Sequence, residues 1–137
     1  MTGGRPTPNQ SVQAASYSRG DIWMVDFGNP IGTELAMVHP AVIVSRQELN
    51  NFAAQIGRVI VVPGTSTHVT NAQGQTIFMH REVPASPSNG LHHTTYFMAE
   101  QVRSASILRL RRFVGSMERI HVREIEERLC FVMDLFK

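Results

Sequence analysis

One stretch decides how this chain folds: GTELAMVHPAVIVS, from Gly32 to Ser45. Its second half, from Pro40 onward, is a short β-branched run typical of a fully buried strand, and proline is tolerated at the first position of a strand. Its first half is a polar loop that carries Glu34 and His39. A carboxylate and an imidazole therefore stand at the mouth of a core strand, where they are either solvated loop residues or the lining of a site.

Strand patterns lie on both sides of this stretch. The segment RGDIWMVDF (Arg19–Phe27) alternates with period two and has one strongly apolar face, formed by Trp23, Val25 and Phe27. The residues GNPIG that follow it are typical of a turn. Further strand candidates are RVIVVP (58–63), TIFMHREV (76–83), TTYFMAEQVRS (94–104) and FVGSM (113–117), and RQELNN (46–51) could form one helical turn.

At the C-terminus the apolar spacing changes to steps of three and four residues, which predicts an amphipathic helix packed on the sheet. The apolar positions are Val122, Ile125, Leu129, Val132, Met133 and Phe136. Many short strands separated by turns and followed by one helix predict a mainly β (α+β) fold, a small antiparallel barrel with a C-terminal amphipathic helix.

Length and composition set the domain plan. The 137 residues suffice for one domain, and 42% of them are hydrophobic. We expect a disordered N-terminal tail over residues 1–18, rich in Gly, Pro, Ser and Gln, and a single domain over 19–137. No apolar run reaches the roughly 20 residues that cross a bilayer. The single cysteine, Cys130, excludes an internal disulfide and a cysteine metal site, and it fits a cytoplasmic location.

The candidate chemistry consists of polar residues at strand ends, where a barrel would hold them rigidly. They are Glu34 and His39 before one strand, Thr65 and Ser66 after another, and Glu100, Gln101 and Arg103 in a third. Each has a plain structural alternative. Thr65 and Ser66 fit turn chemistry, and Glu100 and Arg103 fit a surface ion pair.

The remaining histidines do not form an obvious site. His92 and His93 are adjacent and are typical of loop surface, since neighbours in a strand would face opposite ways. His68 and His80 could approach each other only if their strands pair. His121 stands at the start of the last helix, where we expect it to be exposed.

Five segments, taken in order, resemble the MazF/PemK family of toxin endoribonucleases, the mRNA interferases of bacterial toxin–antitoxin pairs. They are RGDIWMVDFGNPIGTE, HPAVIVS, VIVVPGTS, AEQVRS and, after VGSM, the terminal helix, and together they span residues 19–135. The resemblance implies an SH3-like barrel with a C-terminal helix, usually assembled as a homodimer. It agrees with the fold predicted from the pattern of strands and helix.

The resemblance also implies a function: sequence-selective cleavage of single-stranded RNA by attack of a ribose 2′-OH, with no metal and no other cofactor. It implies a cognate antitoxin as protein partner, contact with DNA only through that antitoxin, and no membrane. In the family a Thr or Ser after the third strand is catalytic, and Thr65 stands at that position. For RNA binding, Glu34 matches a Gly-x-Glu element, Ser66 follows Thr65, and Glu100, Gln101 and Arg103 match an acid-Gln-x-Arg element near the dimer groove.

The chain departs from the family at one position: where the family has Arg before the proline of the second strand, this chain has His39. His39 could act as general base or acid, because histidine changes charge near neutral pH, while Thr65 and Arg103 hold the phosphate. Alternatively, the loss of the permanent, two-pronged Arg charge leaves a catalytically impaired relative.

Two further functions stay open beside an impaired enzyme. One is a CcdB-like toxin that binds DNA gyrase, and the other is autoregulatory DNA binding together with an antitoxin. The GTE and AEQVRS segments resemble interferases and favour RNA cleavage.

Overall fold

The structure is a computed structural model that describes residues 16–29, 31–32 and 37–135. Within them lie seven strands: β1 (Asp21–Asp26), β2 (Val38–Ile43), β3 (Arg58–Thr65), β4 (His80–Val83), β5 (Thr95–Met98), β6 (Arg103–Ser106) and β7 (Leu110–Ser116). The helices are α1 (Gln47–Asn51), α2 (Ala53–Ile56) and α3 (Arg119–Val132), with 3₁₀ turns at Ala99–Gln101 and Ile107–Arg109. None of the described helices is long and apolar enough to cross a membrane.

All strand pairs are antiparallel, in the order β4-β5-β3-β2-β1-β7, and β6 also pairs with β3. The long strand β3 holds the sheet together, because one of its edges pairs with β2 and the other is shared. On that shared edge Arg58–Val61 pair with β6, and Gly64 and Thr65 pair with β5. The predicted antiparallel sheet with a C-terminal helix is confirmed. The ladder is open, since no pairing within the described residues joins the edge strands β4 and β7.

Two apolar clusters lie on the two faces of the sheet. One contains Trp23, Val25 and Phe27, the face predicted from the sequence, together with residues of β2, β3, β6 and β7. The other contains Ile22 and Phe97 and is covered by α3 through Ile125 and Leu129. β1 is therefore buried on one face along its length and on the other face at Ile22, which packs in the cluster covered by α3.

Strand boundaries differ from the prediction where the chain must move along β3. The predicted strand 94–104 is broken after Met98 by the 3₁₀ turn Ala99–Gln101, so that β5 and β6 pair with different parts of the same edge. The predicted strand 76–83 begins only at His80, because the residues before it form a separate turn with an isolated bridge between Thr70 and Thr76. The strand predicted over 113–117 runs instead from Leu110 to Ser116, and the helical turn at 46–51 is present as α1.

The predicted N-terminal tail lies mostly outside the described residues. Of its last residues, Tyr17 is buried, and its ring centroid lies 5.6 Å from that of Trp23. The Ser18 amide donates to Asp21 Oδ2 at 3.0 Å. The described part of the domain therefore includes Tyr17, two positions before the predicted start at Arg19.

Candidate active site

His39 and Thr65 lie at the same end of two neighbouring strands. In the antiparallel register of β2 and β3, Ala41 is opposite Pro63, and the same register continued by two residues reaches His39 and Thr65. Alternate residues of a strand share a face, so His39 lies on the face of Ala41 and Thr65 on the face of Pro63. Both residues are half-buried. The register thus assigns the two residues predicted to be catalytic to one face of the sheet, at the start of β2 and at the end of β3.

Arg103 lies on the same face of the sheet, at the first position of β6. It is opposite Val61, and its guanidinium carbon is 5.1 Å from the centre of the Phe27 ring. Val61 and Thr65 share a face of β3, so the Arg103 charge stands on the side of the sheet that carries Thr65. The contact with a buried aromatic ring fixes the stem of the side chain, because a guanidinium is attracted to the face of an aromatic ring.

The loop that carries the predicted Glu34 is closed at its neck by two backbone hydrogen bonds. The Phe27 amide donates to the Met37 carbonyl at 2.8 Å, and the Met37 amide donates to the Gly28 carbonyl at 2.9 Å. Asp26 reinforces this neck: the Gly28 amide and the Arg111 guanidinium, at 2.9 and 3.0 Å from its two oxygens, hold the pKa of its carboxyl below the usual value. Glu34 itself lies outside the described residues.

The other predicted RNA-binding residues lie in two separate places in the structure. Ser66 is exposed directly after Thr65, at the end of β3. Glu100 points elsewhere, because its Oε2 lies 2.9 Å from Nε2 of the buried His80. Gln101 is half-buried at the end of the same 3₁₀ turn, which packs against α3. Ser66 therefore lies with His39 and Thr65, whereas Glu100 is tied to His80.

Sequence patterns missed a further group beside Thr65. Thr65 is directly opposite Tyr96 of β5, and the ring of His68 stacks on the ring of Tyr96 at 4.5 Å with an angle of 9° between the planes. His68 Nε2 lies 2.7 Å from the Thr76 hydroxyl, which in turn donates to Glu82 Oε1 at 3.2 Å. No spacing in the sequence indicates this group, because it forms only when the chain after β3 folds back across β5.

The other histidines have separate surroundings. His68 and His80 bind different partners and do not form a pair. His92 and His93 are exposed between strands, as expected for loop surface. His121, predicted to be exposed, is half-buried and accepts a hydrogen bond at Nδ1 from Arg81 Nε at 3.1 Å. Within the described ranges, no three His, Cys, Asp or Glu side chains are grouped so that they could hold a metal ion.

Gly64 explains how β5 reaches Thr65. A Cβ atom at this position would lie 2.5 Å from Thr95 Cγ2 and 3.1 Å from the Phe97 ring. Since real Cβ atoms do not approach other atoms so closely, only glycine lets β5 lie against the end of β3. The glycine of the PGT segment is therefore a packing requirement that sets Thr65 opposite Tyr96.

Comparison with known proteins identifies the family of this chain. The family model described as PemK-like, MazF-like toxin of type II toxin-antitoxin system matches residues 18–133. The chain belongs to this family. The endoribonuclease MazF9 of Mycobacterium tuberculosis (strain ATCC 25618 / H37Rv) is 31% identical over 120 residues, which cover 86% of this chain and 97% of that protein.

Solved structures of the PemK/MazF type share the fold. MazF (Form-I) of Deinococcus radiodurans superimposes with a TM-score of 0.69 at 17% identity, covering 85% of this chain and 96% of that one. An endoribonuclease from Mycobacterial species, solved in complex with its cognate antitoxin, gives a TM-score of 0.64 at 22% identity, covering 87% and 96%. At these identities the likeness establishes the mostly antiparallel sheet with its C-terminal helix.

Proposed function

We propose that this chain is an endoribonuclease toxin that cuts single-stranded RNA without a metal. The observation that supports the proposal is that His39 at the start of β2, Thr65 at the end of β3 and Arg103 at the start of β6 occupy positions on one face of the sheet. The family supports it, since a relative of 31% identity is named an endoribonuclease.

The arrangement suits transfer of a phosphoryl group to a neighbouring hydroxyl. Cleavage requires removal of the 2′-OH proton, stabilisation of negative charge on the phosphorane, and protonation of the departing 5′-oxygen. Arg103 supplies a permanent positive charge with a forked set of donors, and the Thr65 hydroxyl supplies a further hydrogen bond. His39 supplies an imidazole, a side chain suited to general acid–base catalysis. Bases must be unstacked to be read, which accounts for a preference for single strands.

The partners follow from the same proposal. Solved relatives include complexes with a cognate antitoxin, and we infer an antitoxin for this chain as well. A disordered acidic segment that folds on binding would neutralise Arg103 and cover His39 and Thr65, so binding should stop cleavage. A homodimer and contact with DNA only through the antitoxin belong to the same proposal, as does a cytoplasmic location, where messenger RNA is accessible.

The test is cleavage of a long RNA by the purified chain in EDTA, with the same sequence presented once as a single strand and once in a duplex. We expect discrete fragments from the single strand and an intact duplex. Thr70→Ala, an exposed threonine five residues from Thr65, serves as the matched control for Thr65→Ala and should cut normally. An intact single strand would contradict the proposal. Inhibition of gyrase supercoiling by the same preparation would then favour the gyrase-binding alternative.

A further inference from the structure

The segment between β3 and β4 holds His68 against the candidate site. The Thr65 hydroxyl accepts the Thr67 amide at 3.1 Å, a turn that redirects the chain directly after β3. The bridge between Thr70 and Thr76 then closes the segment on itself. One ring face of His68 lies on Tyr96, the cross-strand neighbour of Thr65, while the residue as a whole stays exposed to solvent. A substrate bound at Thr65 can therefore reach His68.

The hydrogen bonds of this segment determine which nitrogen of His68 carries the proton. A carboxylate only accepts hydrogen bonds, so the single hydroxyl proton of Thr76 is directed to Glu82. The Thr76 oxygen, 2.7 Å from His68 Nε2, must then accept from that nitrogen. The neutral ring consequently has its proton on Nε2 and a free lone pair on Nδ1, which is the form that a general base requires.

We propose that His68 is the general base of the cleavage reaction and that His39 is its general acid, an assignment that rests on the function proposed above. His68 Nδ1 takes the proton of the 2′-OH, and O2′ forms a bond to phosphorus. The bond from phosphorus to O5′ breaks, its electron pair stays on O5′, and O5′ takes a proton from His39. The products are a 2′,3′-cyclic phosphate and a free 5′-hydroxyl. Solvent then removes the proton from His68 and returns one to His39.

Two histidines resolve a difficulty that His39 alone would face. A base must be neutral and an acid protonated in the same transition state, and one imidazole cannot be both at once. His39 belongs to β2, which pairs with one edge of β3, and His68 lies on Tyr96 of β5, which pairs with the other edge at Thr65. A reacting phosphate at Thr65 therefore has one imidazole on each side. Stacking on Tyr96 and the bond to Thr76 hold His68 in one orientation, which is what efficient proton transfer needs.

The decisive experiment compares two substrates: an RNA with one cleavable phosphodiester, and the same RNA with sulfur replacing the bridging 5′-oxygen. A thiolate leaves without protonation, so loss of the general acid no longer slows the reaction, whereas loss of the base still does. Single-turnover cleavage would be measured for wild type, His68→Ala and His39→Ala. We expect each variant to be about 10²–10⁴-fold slower on the oxygen substrate. On the sulfur substrate His39→Ala should recover to near wild type, and His68→Ala should stay slow.

A second variant separates proton transfer from simple loss of the stacked ring. Thr76→Val keeps the shape of the side chain but removes the hydroxyl that fixes the proton on Nε2. We expect cleavage of both substrates to fall about tenfold with an unchanged affinity for RNA, a loss smaller than that of His68→Ala. Thr70→Val, at the bridge partner of Thr76, is the matched control and should cleave normally.

Each result bears directly on the assignment. Recovery of His68→Ala on the sulfur substrate would reverse the two roles, and normal cleavage of the oxygen substrate by His68→Ala would remove it from the chemistry; either would overturn the proposal. If wild type and His68→Ala cleaved the RNA equally well, the proposed ribonuclease function would stand and only the role of His68 would be lost. Failure of wild type to cut either substrate would overturn both the function and this assignment.

Discussion

Polar side chains at the two ends of this small sheet differ in their hydrogen bonding. Under α3, Glu118 accepts from the Ser86 hydroxyl at 2.5 Å and from Asn89 Nδ2 at 3.1 Å. At the other end, no hydrogen bond or ion pair within the described residues engages the side chains of His39 and Arg103. Polar groups that satisfy one another stabilise a fold, whereas polar groups at the rim of a rigid sheet that form no hydrogen bond within the described residues are available to a ligand.

Electrostatics at the helix end follow from the same network. Burial alone would raise the pKa of the Glu118 carboxyl, but hydrogen bonds from Ser86 and Asn89 outweigh it and lower that pKa. Burial, with the neighbouring Arg81 charge, lowers the pKa of His121. The helix end therefore favours a charged Glu118 and a neutral His121. These are states that serve packing of α3 rather than exchange of protons with a substrate.

His80 and His39 differ in the same way as the two ends of the sheet. His80 is 3% exposed, is held by Glu100, and accepts at its backbone carbonyl from Arg128 of α3 at 3.4 Å. His39 is half-buried at the strand mouth. Glu100 was a predicted RNA-binding residue, but its bond to His80 gives it a structural task. Substitutions at the two ends should therefore separate loss of activity from loss of stability, and of the comparisons below we expect the largest effect at Thr65.

Thr65→Ala should separate chemistry from folding most strongly. Loss of one hydrogen-bond donor at the phosphorane typically costs about 10²–10³ in rate. The free energy of unfolding should change by less than about 1 kcal/mol, since Thr65 is half-buried at a strand end. Single-turnover cleavage and urea unfolding of the same preparation measure both quantities. Equal loss of activity and stability would make Thr65 a folding residue.

Asn89→Ala should have the opposite effect. Asn89 is fully buried, accepts from the Ser86 and Leu91 amides, and donates to the Pro84 carbonyl and to Glu118. The free energy of unfolding, measured by urea titration, should fall by about 3 kcal/mol, because each buried group left unsatisfied costs about 1–3 kcal/mol. Activity per folded molecule should stay at the wild-type level.

The matched control for Asn89 is another asparagine with a similar hydrogen-bonding pattern at the surface. Asn71 accepts from the Gln73 and Gln75 amides but is exposed. Asn71→Ala should lower the free energy of unfolding by less than about 1 kcal/mol, since water replaces the lost contacts. Equal destabilisation by both variants would remove the special role assigned to the buried network.

Arg103→Lys should weaken cleavage about tenfold, because lysine keeps the charge but loses the forked donors and the planar contact with Phe27. Kinetics over a range of RNA concentration would assign the loss to kcat or KM. Arg58→Lys is the control, since Arg58 stands at the far end of the same β3–β6 pairing and donates to Ser104. A similar loss from Arg58→Lys, which lies on the opposite face of β3, would mean that positive charge in general, rather than Arg103, binds the RNA.

His121→Gln should give the smallest effect, visible only in the pH dependence of stability. Because the pKa of His121 is lowered in the folded state, its contribution is complete above the unfolded pKa of about 6.5 and is lost as pH falls through the folded value. Glutamine can still accept the Arg81 bond without titrating. The variant should therefore lose less stability than wild type between about pH 6.5 and 5, as measured by thermal unfolding. If the stability of wild type and of the variant depended on pH in the same way, His121 would not contribute to the pH dependence.

The fold could be predicted because its strands and helix carry strong local patterns. The β-branched runs before Ser45 and Pro63 and the three- and four-residue spacing around Ile125 each dictate one element. The break between β5 and β6 could not be predicted, because residues 94–104 have uniform strand character. It depends on where two strands fit along the shared edge of β3, and on the pairing of Glu100 with His80.

The positions of the candidate residues in the fold could be predicted in part for the same reason. His39 and Thr65 stand at the ends of clear strands, so their positions follow once β2 and β3 pair. His68 could not be found, because its place depends on a turn after β3 and on stacking against Tyr96, which lies two strands further along the chain. The spacing of apolar residues shows which face of a strand or helix a residue occupies. It carries no information about contacts that a loop makes when it folds back onto the sheet.

We propose that the open strand end performs chemistry with His39, at the position where the resemblance to the family implies an arginine. The direct test is mass spectrometry of products from a long single-stranded RNA in EDTA, with wild type, His39→Ala and His39→Arg compared at equal folded concentration. We expect discrete fragments ending in 2′,3′-cyclic phosphate for wild type and their loss in His39→Ala. Intact RNA with wild type, together with cleavage restored by His39→Arg, would show that this chain has kept the scaffold and lost the chemistry.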